Sequence, residues 1–250
     1  GYIWAICEVH ANHGRTSPLD NVQDWSKFMH SLEVQTFVSS TVEPREMVPF
    51  SLLAGACCAA GQTVYLDVVT VVVLLLLYYT ESRSESPLPT AFSGQGSFST
   101  MKHIRCRDVK FVDGHLEVGF GAIKQDSQNR RNPGAEDRTW KPIGECTGCL
   151  NLYFWLSLYL KLRPAITAAD ADTPFFLRAD GRPLLYRDVL DHMRALFARV
   201  AGVTPIIASK YGLHGLRVLG YNCMRAALGE DVAAFHGEWR STCHKRYGRE

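Results

Sequence analysis

The residues best suited to phosphate chemistry lie near the C-terminal end of the sequence. His214 and Arg217 are three positions apart, so they would share one face of a helix. A guanidinium group can hold a phosphate through paired hydrogen bonds, and a neighbouring imidazole can move a proton. The same pair also occurs on ordinary solvated helices, so this spacing alone does not predict a site. Further along lie His236, Trp239 and Tyr247, which add an imidazole, an indole and a phenol.

The most apolar segment of the sequence is Val68–Tyr79, and it ends shortly before Arg83. A membrane-spanning helix needs about 20 apolar residues. This segment is shorter and has charged residues on both sides, Asp67 before it and Glu81 and Arg83 after it. A buried core helix is therefore favoured over a transmembrane helix.

The hydrophobic period changes to two after this helix. Apolar residues occur at every second position in two short stretches, Val109 and Phe111 in the first and Leu116, Val118 and Phe120 in the second. Asp113-Gly114, between the two halves of the pattern, is typical of a tight hairpin turn, so a β-hairpin or small antiparallel sheet is predicted. Lys124 would lie where the second strand ends. The polar residues 129–144 include two prolines and predict a loop.

The second half of the chain is predicted to be helical. Leu150–Leu162 is apolar on all sides and indicates a buried helix, and an amphipathic pattern begins at Val189. A further helix is expected over His214–Leu228, although Gly215 and Gly220 weaken its helix propensity. Helices, a small sheet and then more helices predict an α+β, mostly helical fold.

Three regions are predicted along the chain. Residues 1–40 contain short helical patterns, with one apolar face formed by Trp25, Phe28, Met29 and Leu32. They are interpreted as the C-terminal part of a helical domain, residues 41–49 as a linker, and residues 50–250 as the main domain. The sequence begins without Met and in the middle of a pattern, so we expect it to be part of a longer protein.

Composition is that of a globular protein, with 46% hydrophobic and 21% charged residues. The formal net charge of +2 neither predicts nor excludes binding to nucleic acid. The eight cysteines are scattered without a secretory signal, so free thiols are favoured over disulfides. Cys146 and Cys149 have the spacing of half a zinc site, but there is no matching second pair, and no metal or cofactor is predicted.

The order of these motifs resembles the catalytic domain of tyrosine recombinases, the phage-integrase family. HxxR at His214–Arg217, then a His or Trp, then Tyr247 is similar to the C-terminal signature of that family. The segment 79–85 resembles its first-arginine motif, and the hairpin ending at 123–126 resembles the one that carries an active-site lysine. Phe175-Phe176 and Gly181–Leu184 match the segment before HxxR. The resemblance covers about residues 50–250. The residues at 237–241 and 246–247 are most similar to those of eukaryotic mobile-element recombinases (DIRS-like and Crypton-like).

The resemblance implies a DNA strand-exchange mechanism. Arg83, delivered by the apolar helix, and Arg217 would clamp the non-bridging oxygens of a phosphodiester. Tyr247 would attack in line and form a 3′-phosphotyrosyl intermediate. Lys124 would protonate the leaving 5′ oxygen, with His214 assisting proton transfer. The fifth active-site position is assigned to either His236 or Trp239, with Trp239 favoured.

Several expectations about partners accompany this reading. The candidate DNA-contacting residues are Arg130, Arg131, Lys141 and Arg240, although a charged loop would have the same composition. The expected partners are double-stranded DNA and further copies of the chain, usually as a tetramer, with no membrane. The expected location is intracellular, nuclear in a eukaryote and cytoplasmic in a prokaryote.

Two other functions stay open at this point. One is DNA relaxation of the type IB topoisomerase kind, which uses a similar set of catalytic groups. The other is a catalytically inactive DNA-binding descendant of a mobile element. Each candidate residue also has an ordinary structural reading: Arg83 as a helix C-cap, Lys124 as a solvated hairpin lysine, and Tyr247 as a surface tyrosine.

Overall fold

The computed structural model describes residues 46–121, 138–144, 148–165 and 167–237, all of which belong to one compact unit, Arg45–Glu250. The predicted helical region 1–40 and most of the predicted linker lie outside the described residues. The described helices are α1 (Phe50–Ala59), α2 (Tyr65–Thr80), α3 (Leu152–Leu162), α4 (Tyr186–Phe197), α5 (Pro205–Ser209), α6 (His214–Leu228) and α7 (Glu230–His236). The strands are β1 (Val109–Val112), β2 (His115–Phe120) and β3 (Thr139–Ile143).

Helix α2 is the central element of the hydrophobic core. Every residue of the apolar run from Val68 to Leu77 is buried, and α3, α4 and α6 all pack against the helix. A helix that is apolar on all sides satisfies its own backbone and buries side chains in every direction. The prediction of a buried core helix is confirmed. Within the described ranges, no helix has the length and apolar character needed to cross a bilayer.

One carboxylate, Asp67, is fully buried in the first turn of α2 and ties it to α4. Asp67 accepts hydrogen bonds from His192 at 2.6 Å, from Arg199 at 2.5 Å and from the backbone of Gly61 at 2.8 Å. Burial alone raises the pKa of Asp67, but the hydrogen bonds from Arg199, Gly61 and His192 outweigh burial, so the net shift in pKa is downward. The carboxylate is also favourably placed at the positive end of the α2 macrodipole.

The sheet is antiparallel with the order β1-β2-β3. The predicted hairpin is confirmed: Val112 pairs with His115, and Asp113 and Gly114 form the turn with φ of 46° and 83°. The predicted loop over 129–144 is wrong in its last part, because Thr139–Ile143 forms the third strand. Pro142 is tolerated there since β3 lies at the edge of the sheet, where one side of the backbone needs no ladder partner.

Helix α3 differs from its prediction as well. It buries Leu152, Trp155, Leu156 and Tyr159 on one face, whereas Phe154, Leu160 and Leu162 are each about 40% exposed. The helix lies on the outside of the core, so only one of its faces packs against other described residues. The amphipathic helix α4 and the helix α6 are confirmed, the latter with the predicted bounds.

Gly220, one of the two glycines that weaken the helix propensity of α6, has a packing role. Gly220 lies where α6 crosses the end of α2, and a Cβ atom there would overlap the carbonyl oxygen of Tyr78. The same atom would lie 3.1 Å from Cγ of Glu81. Only glycine permits this approach, which brings the first half of α6 against the C-terminal end of α2.

Candidate active site

Arg217 is the most deeply buried of the predicted catalytic residues that the structure describes. It lies in the first turn of α6 with a side chain that is 5% exposed. Its Nη2 donates a hydrogen bond of 2.8 Å to the carbonyl oxygen of Gly237, just after α7. A guanidinium held in this way is oriented before any ligand arrives, and an anion that reached it would meet a cation with little competing water.

Lys141 joins two helix ends that are far apart in sequence. The lysine projects from β3 with 6% exposure, and its Nζ donates to the carbonyl oxygens of Thr80 at 2.7 Å and His236 at 2.8 Å. The last carbonyls of a helix lack intrahelical donors, and a cation complements the negative end of the helix dipole. Lys141 therefore caps α2 and α7 together. A contact of Lys141 with DNA stays a prediction, and the observed bonds give the residue a structural role.

Glu81 directly follows Thr80, whose carbonyl Lys141 binds, and was not predicted as a site residue from the sequence. It follows α2 in the left-handed conformation, with φ of 49° and ψ of 27°, and is 1% exposed. Its Oε1 is 3.5 Å from Nδ1 of His236, the last residue of α7. The imidazole is 26% exposed, so one end of this pair is buried and the other reaches the surface. The only sequence signal was a charged residue following the apolar run.

A buried phenol completes the packed side of this cluster. Tyr221 lies four residues after Arg217 on α6 and is 1% exposed. Burial raises the pKa of the Tyr221 phenol, and the charges of Glu230 and Glu81 raise it further. The phenol therefore stays neutral at neutral pH.

Arg83 follows Glu81 by two residues, so its Cα is within about 7 Å of that of Glu81. The Arg83 side chain is partly buried and makes no hydrogen bond or ion pair with another described residue. It lines a cavity of about 670 Å³ together with Glu85, Lys102, His103 and the Gly/Ser-rich residues 94–99. Arg217 is not among the described residues that line this cavity. The two arginines therefore do not share one described pocket.

The cavity beside Arg83 contains a histidine that is neutral at neutral pH. Burial lowers the pKa of His103 to about 4, with contributions from the charges of Lys102 and Arg138. Its Nδ1 accepts a hydrogen bond of 2.8 Å from the backbone N–H of Ser99, which agrees with an unprotonated nitrogen. The charge of this cavity therefore depends on Arg83, Lys102 and Glu85.

The remaining predicted site residues fall into two groups. His214 is the first residue of α6, is partly buried, and shares the Arg217 face of the helix. The others lie outside the described residues: Lys124, Arg130, Arg131, Trp239, Arg240 and Tyr247. Cys146 also lies there, and no group of three potential metal ligands occurs in the described part of the chain.

Comparison with known proteins gives a clear answer for the fold. No protein-family model and no curated protein matches the sequence. Among solved structures, a lambda integrase dimer bound to a COC′ core site matches with a TM-score of 0.53 and 13% identity over 99% of this chain and 65% of that one. The XerH site-specific recombinase bound to difH substrate, in a pre-cleavage complex, matches with a TM-score of 0.50 and 10% identity over 85% of this chain and 53% of that one.

The fold is therefore that of the tyrosine recombinase catalytic domain, mostly helical with a small antiparallel sheet. This confirms the predicted fold class. The chain spans between about half and two thirds of the length of these two matched structures.

Proposed function

We propose that this chain is a site-specific DNA recombinase of the tyrosine recombinase type, which cleaves and rejoins DNA through Tyr247. The observation that carries the proposal is the convergence of four sequence-distant segments on one cluster. The end of α2 supplies Glu81 and leads directly to Arg83, β3 supplies Lys141, α6 supplies Arg217, and α7 supplies His236. These segments include two of the predicted phosphate-binding arginines.

The cleavage step in this proposal is a transesterification. The Tyr247 oxygen forms a bond to phosphorus, the P–O5′ bond breaks, and the phenolic proton leaves the tyrosine. The 5′ oxygen departs as a hydroxyl with a proton from Lys124, and the DNA keeps a 3′-phosphotyrosyl link that the reverse reaction rejoins. Arg83 and Arg217 stabilise the charge on the phosphoryl oxygens in the transition state, with His214 assisting proton transfer.

The partner in this proposal is duplex DNA, bound by more than one copy of the chain. Both matched structures are DNA complexes, and one of them is a dimer. We assign backbone contacts to Arg130, Arg131 and Arg240 and the remaining active-site position to Trp239 or His236, while Lys141 keeps the capping role that its hydrogen bonds give it. We further propose a mobile-element recombinase of the DIRS-like or Crypton-like kind as the source of the chain, acting in the compartment that holds the DNA.

The test is a suicide substrate, a duplex nicked close to the cleaved phosphate so that the cut fragment diffuses away and rejoining fails. Because the target sequence is unknown, a pool of nicked duplexes with randomised sequence is used. The wild type is expected to form an adduct that survives denaturation, with the protein on the 3′ end of the DNA and Tyr247 as the modified residue. Tyr247→Phe is expected to bind the same pool and form no adduct.

The alternatives give different results in the same assay. An adduct together with plasmid relaxation, but without strand exchange between two duplexes, would indicate a topoisomerase. DNA binding by the wild type without an adduct would contradict cleavage and favour an inactive descendant. An adduct that persists in Tyr247→Phe would show that another residue is the nucleophile.

A further inference from the structure

Glu81 combines three features that each destabilise the folded chain. Its φ of 49° is unusual for a residue with a side chain, and Asp113 in the hairpin turn is the only other such residue among those described. Its carboxylate lies at the C-terminal end of α2, where the helix dipole disfavours negative charge. It is also almost completely buried. Glycine in this position would avoid all three costs.

The contacts of the carboxylate do not offset these costs with hydrogen bonds. Neither oxygen of Glu81 has a hydrogen-bond partner among the described atoms, and Nδ1 of His236 also lacks one. The two groups face each other at 3.5 Å, within the range of an ion pair but beyond that of a good hydrogen bond. A buried carboxylate that lacks hydrogen-bond partners is costly to the folded state.

The surrounding residues fix both members of the pair in place. Lys141 holds the backbone carbonyl of Thr80, next to Glu81, and that of His236 itself. Gly220 leaves the room that the Glu81 side chain occupies. Arg217 holds the carbonyl of Gly237, which follows His236. Strained conformations of this kind persist where the surroundings over-determine them, and they concentrate at functional sites.

We infer that Glu81 is a positioning residue that orients the imidazole of His236 in the DNA-cleavage site. A carboxylate accepts hydrogen bonds and does not donate, so it selects the imidazole form with a hydrogen on Nδ1. Nε2 of His236 is then free to take up a proton, and once it carries one it can donate a hydrogen bond to the phosphate. This inference rests on the proposed function and assigns the fifth active-site position to His236, with Glu81 acting through it.

The distinguishing test is Glu81→Gly, because glycine removes the strain as well as the carboxylate. We expect this variant to unfold at a higher urea concentration than the wild type. It should form the suicide-substrate adduct about 10- to 100-fold more slowly, by analogy with the loss seen when the carboxylate that orients a metal-bound histidine is removed. A purely structural role for Glu81 predicts no loss of rate in a stabilised protein. Adduct formation at the wild-type rate by Glu81→Gly would overturn the inference.

A double-variant cycle shows whether Glu81 acts through His236. His236→Ala should slow adduct formation, and Glu81→Gly should have little further effect in that background, because Glu81 acts through the imidazole that is already gone. Independent, multiplicative losses would contradict the inference. Glu117→Gln is the matched control, because Glu117 and His115 form a partly exposed pair at 3.2 Å on β2. This control should cleave at the wild-type rate.

The imidazole spectrum separates failure of this inference from failure of the proposed function. The imidazole nitrogen NMR signals of His236 are assigned by their loss in His236→Ala. At one fixed pH, they should report a hydrogen on Nδ1 in the wild type. They should change in Glu81→Gln and stay unchanged in Glu117→Gln. An unchanged His236 spectrum in Glu81→Gln overturns the inference whether or not DNA is cleaved. Absence of any wild-type adduct contradicts the proposed function instead.

Discussion

Replacement of Gly220 by alanine should separate the two helix segments that frame the candidate site. The added Cβ would overlap the carbonyl oxygen of Tyr78 and lie 3.2 Å from its carbonyl carbon. The obstacle is the backbone of α2, which cannot rotate out of the way as a side chain can. Relief of the overlap requires a displacement of about 1 Å, and a misplacement of this size costs about 100-fold in rate when it reaches reacting groups.

The displacement reaches the site because Arg217 lies one turn before Gly220 on the same helix. Moving α6 away from α2 moves the Arg217 guanidinium away from Glu81 and Arg83. The expected loss of stability is about 1–3 kcal/mol, typical of an overpacked core. The rate of adduct formation on the suicide substrate, measured well below the unfolding temperature, should fall by about 100-fold.

The matched control is Gly212→Ala, two residues before α6. A Cβ at Gly212 would have no heavy atom of the described residues within 4 Å, and the backbone there does not require glycine. This variant should be as stable as the wild type or more stable by about 0.4–1 kcal/mol. Wild-type cleavage rates in Gly220→Ala, with the protein fully folded, would refute the reasoning that the α2–α6 spacing sets the arginine geometry.

Two further predictions concern buried charges. Lys141→Met removes the hydrogen bonds to the carbonyls of Thr80 and His236 at nearly constant side-chain volume. The variant should lose about 3 kcal/mol of unfolding free energy, measured in urea, and should form the adduct more slowly. Wild-type stability would contradict the capping role. Asp67→Asn should also cost about 3 kcal/mol at neutral pH. Because the pKa of Asp67 is lowered by folding, its contribution is present above about pH 3.9 and is lost as the pH falls through the folded-state value. Urea unfolding between pH 7 and 3 should therefore show a smaller loss in Asp67→Asn than in the wild type, and equal losses would contradict it.

The local periodicity of the sequence was sufficient to predict most of the helices and the hairpin. The apolar run of α2 buries in all directions, the Asp113-Gly114 turn sets the hairpin, and the amphipathic pattern from Val189 forms α4. Each of these depends on residues close in sequence, which pack or turn in the same way in many contexts. The third strand was missed because a segment with Pro142 becomes a strand only when β2 supplies its hydrogen bonds.

The candidate site likewise combines residues that the sequence indicated with residues that only the tertiary structure revealed. Residue types and their order pointed to Arg83, His214, Arg217 and His236, since side-chain chemistry can be read one residue at a time. No pattern indicated Glu81, whose burial and left-handed backbone depend on how α2 ends against α6 and α7. Likewise, only the tertiary structure decided that the Lys141 ammonium bonds two helix ends 156 residues apart rather than facing solvent. Interactions of this kind join distant segments, and their geometry exists only once the core has formed.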